Sequence, residues 1–255
     1  METSSTMRLH LAQPLQAGTL KGLESRAPSR ELLRTALSDA IGDLQLTQQE
    51  IEAHSLDVYL AANPVLQAFF WRRVDYLVSI AHDLAAAGAL GGRAIDLGGG
   101  SGIVSASLAC LFSEITLLDR DVRLARHVLT RSGSVAVNLV QADALAWAGP
   151  KKPARCVIAA DVLEHFQDLE PIIGCVRRWL APEGVLLTSL PTENLLYRAL
   201  RVPFGKVKPH DHFHGAAAVE EALSKAGFRA VRRLYHPCKV NVLPLFRITA
   251  WQKAS

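Results

Sequence analysis

Ile95-Asp96-Leu97-Gly98-Gly99-Gly100-Ser101-Gly102 is the stretch on which the reading of this 255-residue chain turns. A short apolar run carrying one carboxylate ends in a cluster of glycines, and residues 103–112 follow with helical spacing. Glycines between a strand and a helix let the chain turn tightly and let the backbone approach a ligand that a Cβ would exclude. The dinucleotide pattern Gly-x-Gly-x-x-Gly fails, because counting from Gly98 its third glycine falls on Ile103. A nucleotide-phosphate loop fails as well, since no Gly-Lys-Ser/Thr is present there. What remains is Asp-x-Gly-x-Gly-x-Gly. A carboxylate just before the loop repels a pyrophosphate and suits a ligand with a cationic group.

On the C-terminal side of this loop, short apolar runs at 93–97, 115–119, 135–141, 154–160 and 184–190 alternate with helical stretches at 103–112, 122–131 and 171–180. Such alternation predicts βαβ units and a parallel sheet buried on both faces. A helix at 216–226 and two late strands at 229–235 and 245–251 complete the pattern. The expected fold class is α/β: residues 91–255 form a mostly parallel seven-stranded sheet with helices on both faces. On the N-terminal side, residues 31–90 read as a helical cap. Thr47 and Glu50 have capping-box spacing, and Asn63-Pro64 places a cap before a proline at the first helical position, opening a long helix toward Gly88. Residues 1–30 have no apolar signal core, because Arg8, His10, Gln13 and Gln16 interrupt every candidate. They read as a disordered tail, with an organellar transit peptide as the alternative.

Composition excludes several classes. With 49% hydrophobic and 20% charged residues, the chain can bury a sizeable core and is neither disordered nor collagen-like. No run reaches the roughly 18 apolar residues of a spanning helix. Cys110, Cys156, Cys175 and Cys238 are widely spaced without a Cys-x-x-Cys pair, which predicts buried, reduced thiols and a cytoplasmic location. The formal charge of +4 is unevenly placed. Residues 197–255 carry eleven Lys/Arg against three acids, so the remainder of the chain is net negative.

Three further acids fall at strand ends. Asp119 ends the second predicted strand, where a carboxylate can take a ribose diol in a bidentate manner. Asp143 follows the third in Gln141-Ala142-Asp143-Ala144, placed to accept an amino group, and Asp161 follows the fourth. Ligands of open α/β sheets bind outside the carboxyl ends of the strands, so these acids and Asp96 are expected to converge on one crevice. As a set, residues 95–102, 117–121, 141–144 and 157–165 resemble the class I S-adenosylmethionine-dependent methyltransferases, a resemblance covering roughly residues 92–190. It implies their Rossmann-like fold and S-adenosylmethionine as cofactor. It also implies that Gly98, Gly100 and Gly102 line the methionine moiety, that Asp119 holds the ribose hydroxyls, and that Asp143 meets the adenine amino group. Asp96 would orient the loop and, through water, the methionine amine. Arg120, Ala142 and Asp161, in the same matching segments, are counted with the cofactor-binding residues.

Methyl transfer to a hydroxyl requires that its proton be removed or its pKa lowered. Asp161-Val162-Leu163-Glu164-His165 spaces two carboxylates and an imidazole at i, i+3 and i+4, which share one face of a helical turn. The segment resembles the Glu-x-x-Glu-His element of metal-dependent O-methyltransferases, such as the ubiquinone-pathway and small-RNA 3′-end enzymes, with Asp161 in place of the first Glu. That resemblance implies a divalent-metal site of Asp161, Glu164 and His165, completed by His210 and His214, which suits Mg²⁺ or Mn²⁺ better than Zn²⁺. The opposing reading is that Leu-Glu-His also follows the fourth strand of metal-free small-molecule methyltransferases, where it caps and packs. His165, His210 and His214 are the candidate general bases, since imidazole titrates near neutral pH. Residues 191–215 are long for a connection and read as a lid. Within it, Arg198, Arg201, Lys206 and Lys208 beside apolar residues point to an anionic or lipidic acceptor, or to contact with a membrane surface.

The expected function is methyl transfer from S-adenosylmethionine to a small-molecule acceptor, at a hydroxyl oxygen. An RNA 2′-O-methyltransferase is the second reading, but the 6% aromatic content and the lack of an interleaved aromatic-basic platform argue against a nucleic-acid partner. A non-catalytic partner protein on the same fold is the third. It predicts degenerate glycines or lost acids, which this sequence does not have.

Overall fold

The computed structural model describes residues 27–134, 136–192, 213–238 and 241–254. Four helices come first: α1 (Arg30–Asp43), α2 (Gln48–Ala53), α3 (Leu56–Tyr59) and α4 (Pro64–Ala86). Their starts follow from side-chain oxygens that satisfy the first orphan amides. Ser29 Oγ accepts from Leu32 N at 3.1 Å, so the chain is already helical at Arg30, where the sequence placed the end of the tail. The rest of the tail reading falls on residues 1–26, outside the described residues. Thr47 and Glu50 close the expected capping box, and Asn63 Oδ1 accepts from Val65 N and Leu66 N to open α4.

The α/β part contains β1 (Arg93–Leu97), α5 (Ile103–Leu108), β2 (Glu114–Asp119), α6 (Arg123–Arg131), β3 (Val137–Gln141), β4 (Ala154–Ala160), α7 (Leu169–Trp179), β5 (Leu180–Pro191), α8 (Ala216–Lys225), β6 (Phe228–His236) and β7 (Phe246–Lys253). Seven strands form one sheet in the order β3-β2-β1-β4-β5-β7-β6. β1 to β5 pair in parallel, and β7 lies antiparallel between β5 and β6. The mostly parallel sheet expected from the sequence is therefore present, with its antiparallel strands confined to one edge.

Alternate strand residues feed cores on opposite faces of the sheet. Val157 and Ala159 of β4 pack with Ile172, Ile173, Val176 and Trp179 of α7. Cys156 and Ile158 pack on the other face with Leu77 and Ile80 of α4. A third core joins the cap to the sheet-flanking helices: Leu33, Leu37, Leu56, Tyr59 and Trp71 bury against Ile103, Leu124 and Val128. The thiols divide. Cys156 and Cys175 are buried as expected and Cys110 is half-buried, but Cys238 is exposed, because it sits in the turn beyond β6 rather than in a core. Among the described residues, no helix is long and apolar enough to cross a membrane.

The strand order positions the site. From β1 the chain moves outward to β2 and β3, then returns to β4 on the other side of β1. The connections after β1 and β4 thus part at the carboxyl end of the sheet and leave a crevice between them.

Candidate active site at the carboxyl end of the sheet

The glycine loop is built tightly against its neighbours. Gly98 has φ +65°, and a Cβ there would stand 2.4 Å from Val162 Cγ2, so the connections after β1 and β4 touch at this point. Gly99, which the motif reading passed over, is needed for packing: its Cβ would meet Leu117 Cγ at 2.4 Å. Gly100 has φ +48°, and a Cβ there would stand in ordinary contact with His54 Nδ1 at 3.7 Å, without a clash. At Gly100 the loop is thus met by a histidine that arrives from the cap. Gly102 closes the turn, its N–H donating to Gly99 O at 2.8 Å before α5 begins.

Asp96 stands behind this loop. It is 1% exposed and accepts from Ser105 Oγ at 2.7 Å, fastening β1 to α5. Burial pushes its pKa up to about 7, helped by the negative charge of Asp119 and opposed by the Ser105 hydrogen bond. Of its two expected roles, this geometry serves the orientation of the loop.

The acids after β2 and β3 come together as the sequence predicted. Asp119 Oδ2 accepts from Gly100 N at 2.8 Å and Oδ1 from Asp121 N at 3.1 Å, so the carboxylate is held beside the glycine loop. Ala142 N donates to Asp119 O at 2.9 Å, which sets the end of β3 against the end of β2. Asp143 receives Arg120 Nη2 at 2.5 Å and Nε at 3.0 Å, with Leu145 N on its other oxygen. The Arg120 guanidinium, followed by the Leu145 amide, holds the Asp143 pKa below the ordinary carboxylate range. Asp119, Arg120, Ala142 and Asp143 thus form one wall of the crevice.

The segment after β4 departs from expectation. Asp161 has φ +53° and precedes the single 3₁₀ turn at Leu163–His165, so it does not share a helical face with Glu164 and His165. Its carboxylate pairs with Arg73 Nη1 and accepts from Ser189 Oγ at 3.1 Å. Arg73 is itself 9% exposed, donates to Tyr59 Oη at 2.5 Å, and lies 5.0 Å over the Phe246 ring. A line of polar contacts, Tyr59 to Arg73 to Asp161 to Ser189, therefore ties the cap to the carboxyl ends of β4 and β5. Sequence reasoning missed His54, Tyr59 and Arg73. The signal for Arg73 is a charge on the face of α4 that carries Phe69, Phe70, Tyr76 and Leu77.

Glu164 is fully buried, and its backbone carbonyl accepts from Phe213 N at 2.9 Å and His214 N at 3.4 Å. The 163–165 turn and the start of the α8 segment are thereby brought together, as the metal reading required. The His214 ring, however, engages Gln167 O through Nε2 at 3.2 Å, and His210 lies outside the described residues. Among the described residues, no three metal-capable side chains converge. Asp161 is held by Arg73 and the His214 ring by Gln167 O, so these two do not meet at one point with Glu164 and His165 among the described residues.

The basic C-terminal region also reads differently in three dimensions. Arg198, Arg201, Lys206, Lys208 and Lys239 lie outside the described residues. The described cations of that region are occupied: Arg233 and Arg247 both meet Glu220, Arg232 meets Asp83, Lys225 meets Glu221, Arg229 meets Gln252, and Lys253 meets the carbonyls of Arg177 and Leu180. Apart from the Lys225–Glu221 pair within α8, each ties β6 or β7 to a neighbouring residue.

Comparison with known proteins shows the family and the fold. A family profile described as "Methyltransferase domain" matches residues 70–233. A ubiquinone biosynthesis O-methyltransferase from Xanthomonas oryzae pv. oryzae is 35% identical over 133 residues, 51% of this chain and 50% of that protein. One from Methylocella silvestris is 29% identical over 101 residues, 38% of this chain and 39% of its own length. The matches to these curated relatives therefore span half of their length or less. Among solved structures, the N-methyltransferase NodS from Bradyrhizobium japonicum WM9, in complex with S-adenosyl-L-homocysteine, aligns at TM-score 0.60 and 18% identity, covering 81% of this chain and 99% of that one. Magnesium protoporphyrin IX methyltransferase from Synechocystis PCC 6803, with the same molecule bound, aligns at TM-score 0.61 and 17% identity, covering 85% and 97%.

Proposed function

The chain belongs to the S-adenosylmethionine-dependent methyltransferase family, and from that premise we propose that it methylates a hydroxyl oxygen of a small-molecule acceptor. The observation that carries the proposal is the glycine turn at the carboxyl end of β1 with Asp119 anchored beside it by the Gly100 amide. These residues fit the cofactor. The Gly98–Gly102 backbone would cradle the methionine part, Asp119 the ribose hydroxyls, and Asp143 with Arg120 the adenine edge. The bound cofactor supplies an electrophilic methyl group on a sulfonium. The protein's contribution is alignment of the acceptor and exclusion of water. The Tyr59–Arg73–Asp161 tie joins the cap to the carboxyl end of the sheet, with His54 beside Gly100.

Oxygen as the acceptor atom is supported by the likeness to ubiquinone biosynthesis O-methyltransferases over half the chain. A hydroxyl needs its proton taken, and His165, on the turn after β4, is the candidate base. The test is transfer of labelled methyl from S-adenosylmethionine to a panel of phenols and alcohols and to their amine counterparts. Products from the hydroxyl compounds alone, with His165→Gln lowering kcat about 100-fold and leaving S-adenosylhomocysteine affinity unchanged, are expected. Products from the amines alone would overturn the choice of oxygen.

A further inference from the structure

A second feature opens at the same end of the sheet, where the first turns of α4 meet the end of β6. A groove of about 390 Å³ is lined by Pro64, Val65, Ala68, Phe69, Arg72, His236 and Pro237. That volume lies within the range of small-molecule sites. Its walls are apolar, and Tyr76 fixes one of them by donating from Oη to Pro237 O at 2.8 Å. His236 closes the floor. The imidazole is fully buried, its ring packed 4.1 Å from Phe69 and 5.6 Å from Tyr76 between centroids. Neither ring nitrogen has a hydrogen-bond partner. Buried polar groups in folded proteins are overwhelmingly satisfied, and a neutral imidazole offers one donor and one acceptor.

Charge indicates what the groove suits. Burial, followed by the positive charges of Arg73 and Arg72, lowers the His236 pKa to about 4, so the ring sits in a positive field. Arg73 is answered by Asp161, and Arg232, Arg233 and Arg247 by Asp83 and Glu220. Arg72 stands exposed on the groove, and among the described residues it makes no ion pair. Among the described residues, none that lines the groove is acidic. An exposed guanidinium without an ion pair stands on an apolar groove, with the buried His236 ring beneath it, and a carboxylate on an apolar body complements that charge.

We propose that this groove is a binding site for an apolar carboxylic acid, its body on Phe69, Ala68 and the two prolines and its carboxylate on Arg72. The assignment of that ligand as the non-reacting end of the methyl acceptor rests on the function proposed above. The site itself does not.

The experiment is calorimetric titration of the full chain, saturated with S-adenosylhomocysteine, with octanoate, naphthalene-2-carboxylate and octanol. Both carboxylates are expected to bind one site at least tenfold tighter than octanol. Arg72→Gln should remove that advantage and leave octanol unchanged. Ala68→Trp, which fills the groove from an exposed helix position, should abolish binding of all three. Absence of carboxylate binding, equal binding of octanol, or an unchanged Arg72→Gln variant would overturn the proposal. Loss of S-adenosylhomocysteine binding alone would instead count against the methyltransferase reading, so the two failures are separable.

Discussion

The carboxyl ends of β1 to β3 and the edge formed by α4, β6 and β7 lie at the same end of one sheet, yet they are assembled from the chain in different ways. The Gly100–Asp119 hydrogen bond joins residues 19 apart, and the Arg120–Asp143 pair joins residues 23 apart. Each is the product of one βα unit. The groove edge is fixed by contacts such as Tyr76 to Pro237, 161 residues apart. The proposed cofactor site is thus written in local turns whose residue types are constrained one by one. The proposed groove depends on how a helix from the cap falls onto the last strands.

The largest expected effect breaks the local side of this contrast. Gly98→Ala adds a Cβ at φ +65°, 2.4 Å from Val162 Cγ2. Left-handed strain and overpacking together should cost about 3 kcal/mol in urea unfolding. They should also weaken S-adenosylhomocysteine binding more than 100-fold, about 3 kcal/mol by the usual conversion. A variant of wild-type stability and affinity would mean that the two connections do not meet as described.

The long-range side is tested by Arg73→Gln, which leaves the Asp161 carboxylate without its cation. Breaking a fully buried pair costs about 3–5 kcal/mol, and the partial exposure of Asp161 reduces the expectation to about 2 kcal/mol. Hydrogen exchange should quicken in α1 to α4 and remain unchanged in β1 to β4. Uniform acceleration would show that the cap and the sheet are one cooperative unit.

A smaller effect sharpens the role of Asp96. Its folded pKa of about 7 lies above the ordinary aspartate value of 3.8. Between those values the native state retains a proton that the unfolded chain has released, so stability falls as pH rises from about 4 to about 7 and levels off above. Asp96→Asn should flatten that segment of the stability–pH curve. An unchanged slope would assign the dependence to other groups.

The same contrast explains what the sequence made legible. The bounds of β1 and β4 and the glycine turn were readable because alternation, burial and turn chemistry agree within a few residues of each other. Asp119 and Asp143 were readable because strand ends in this fold face one crevice. Asp161 was misjudged: spacing alone suggested a helical face, while its positive φ and its partner Arg73 depend on the packing of α4. The basic C-terminal region suggested an anionic surface, but Glu220, on the adjacent helix, absorbs two of its arginines. His236 carried no motif at all. Its isolation becomes visible only when Phe69, Tyr76 and Phe246 close around it.

The central claim is that the crevice between β1 and β4 holds S-adenosylmethionine, with Asp119 on its ribose. Calorimetric titration of S-adenosylhomocysteine into the wild type and into Asp119→Ala tests it most directly. One-site binding by the wild type, weakened about 100-fold in the variant by the loss of charge-assisted hydrogen bonds, is the predicted result. A folded wild-type protein that binds no S-adenosylhomocysteine, or an Asp119→Ala variant that binds it equally well, would contradict the account.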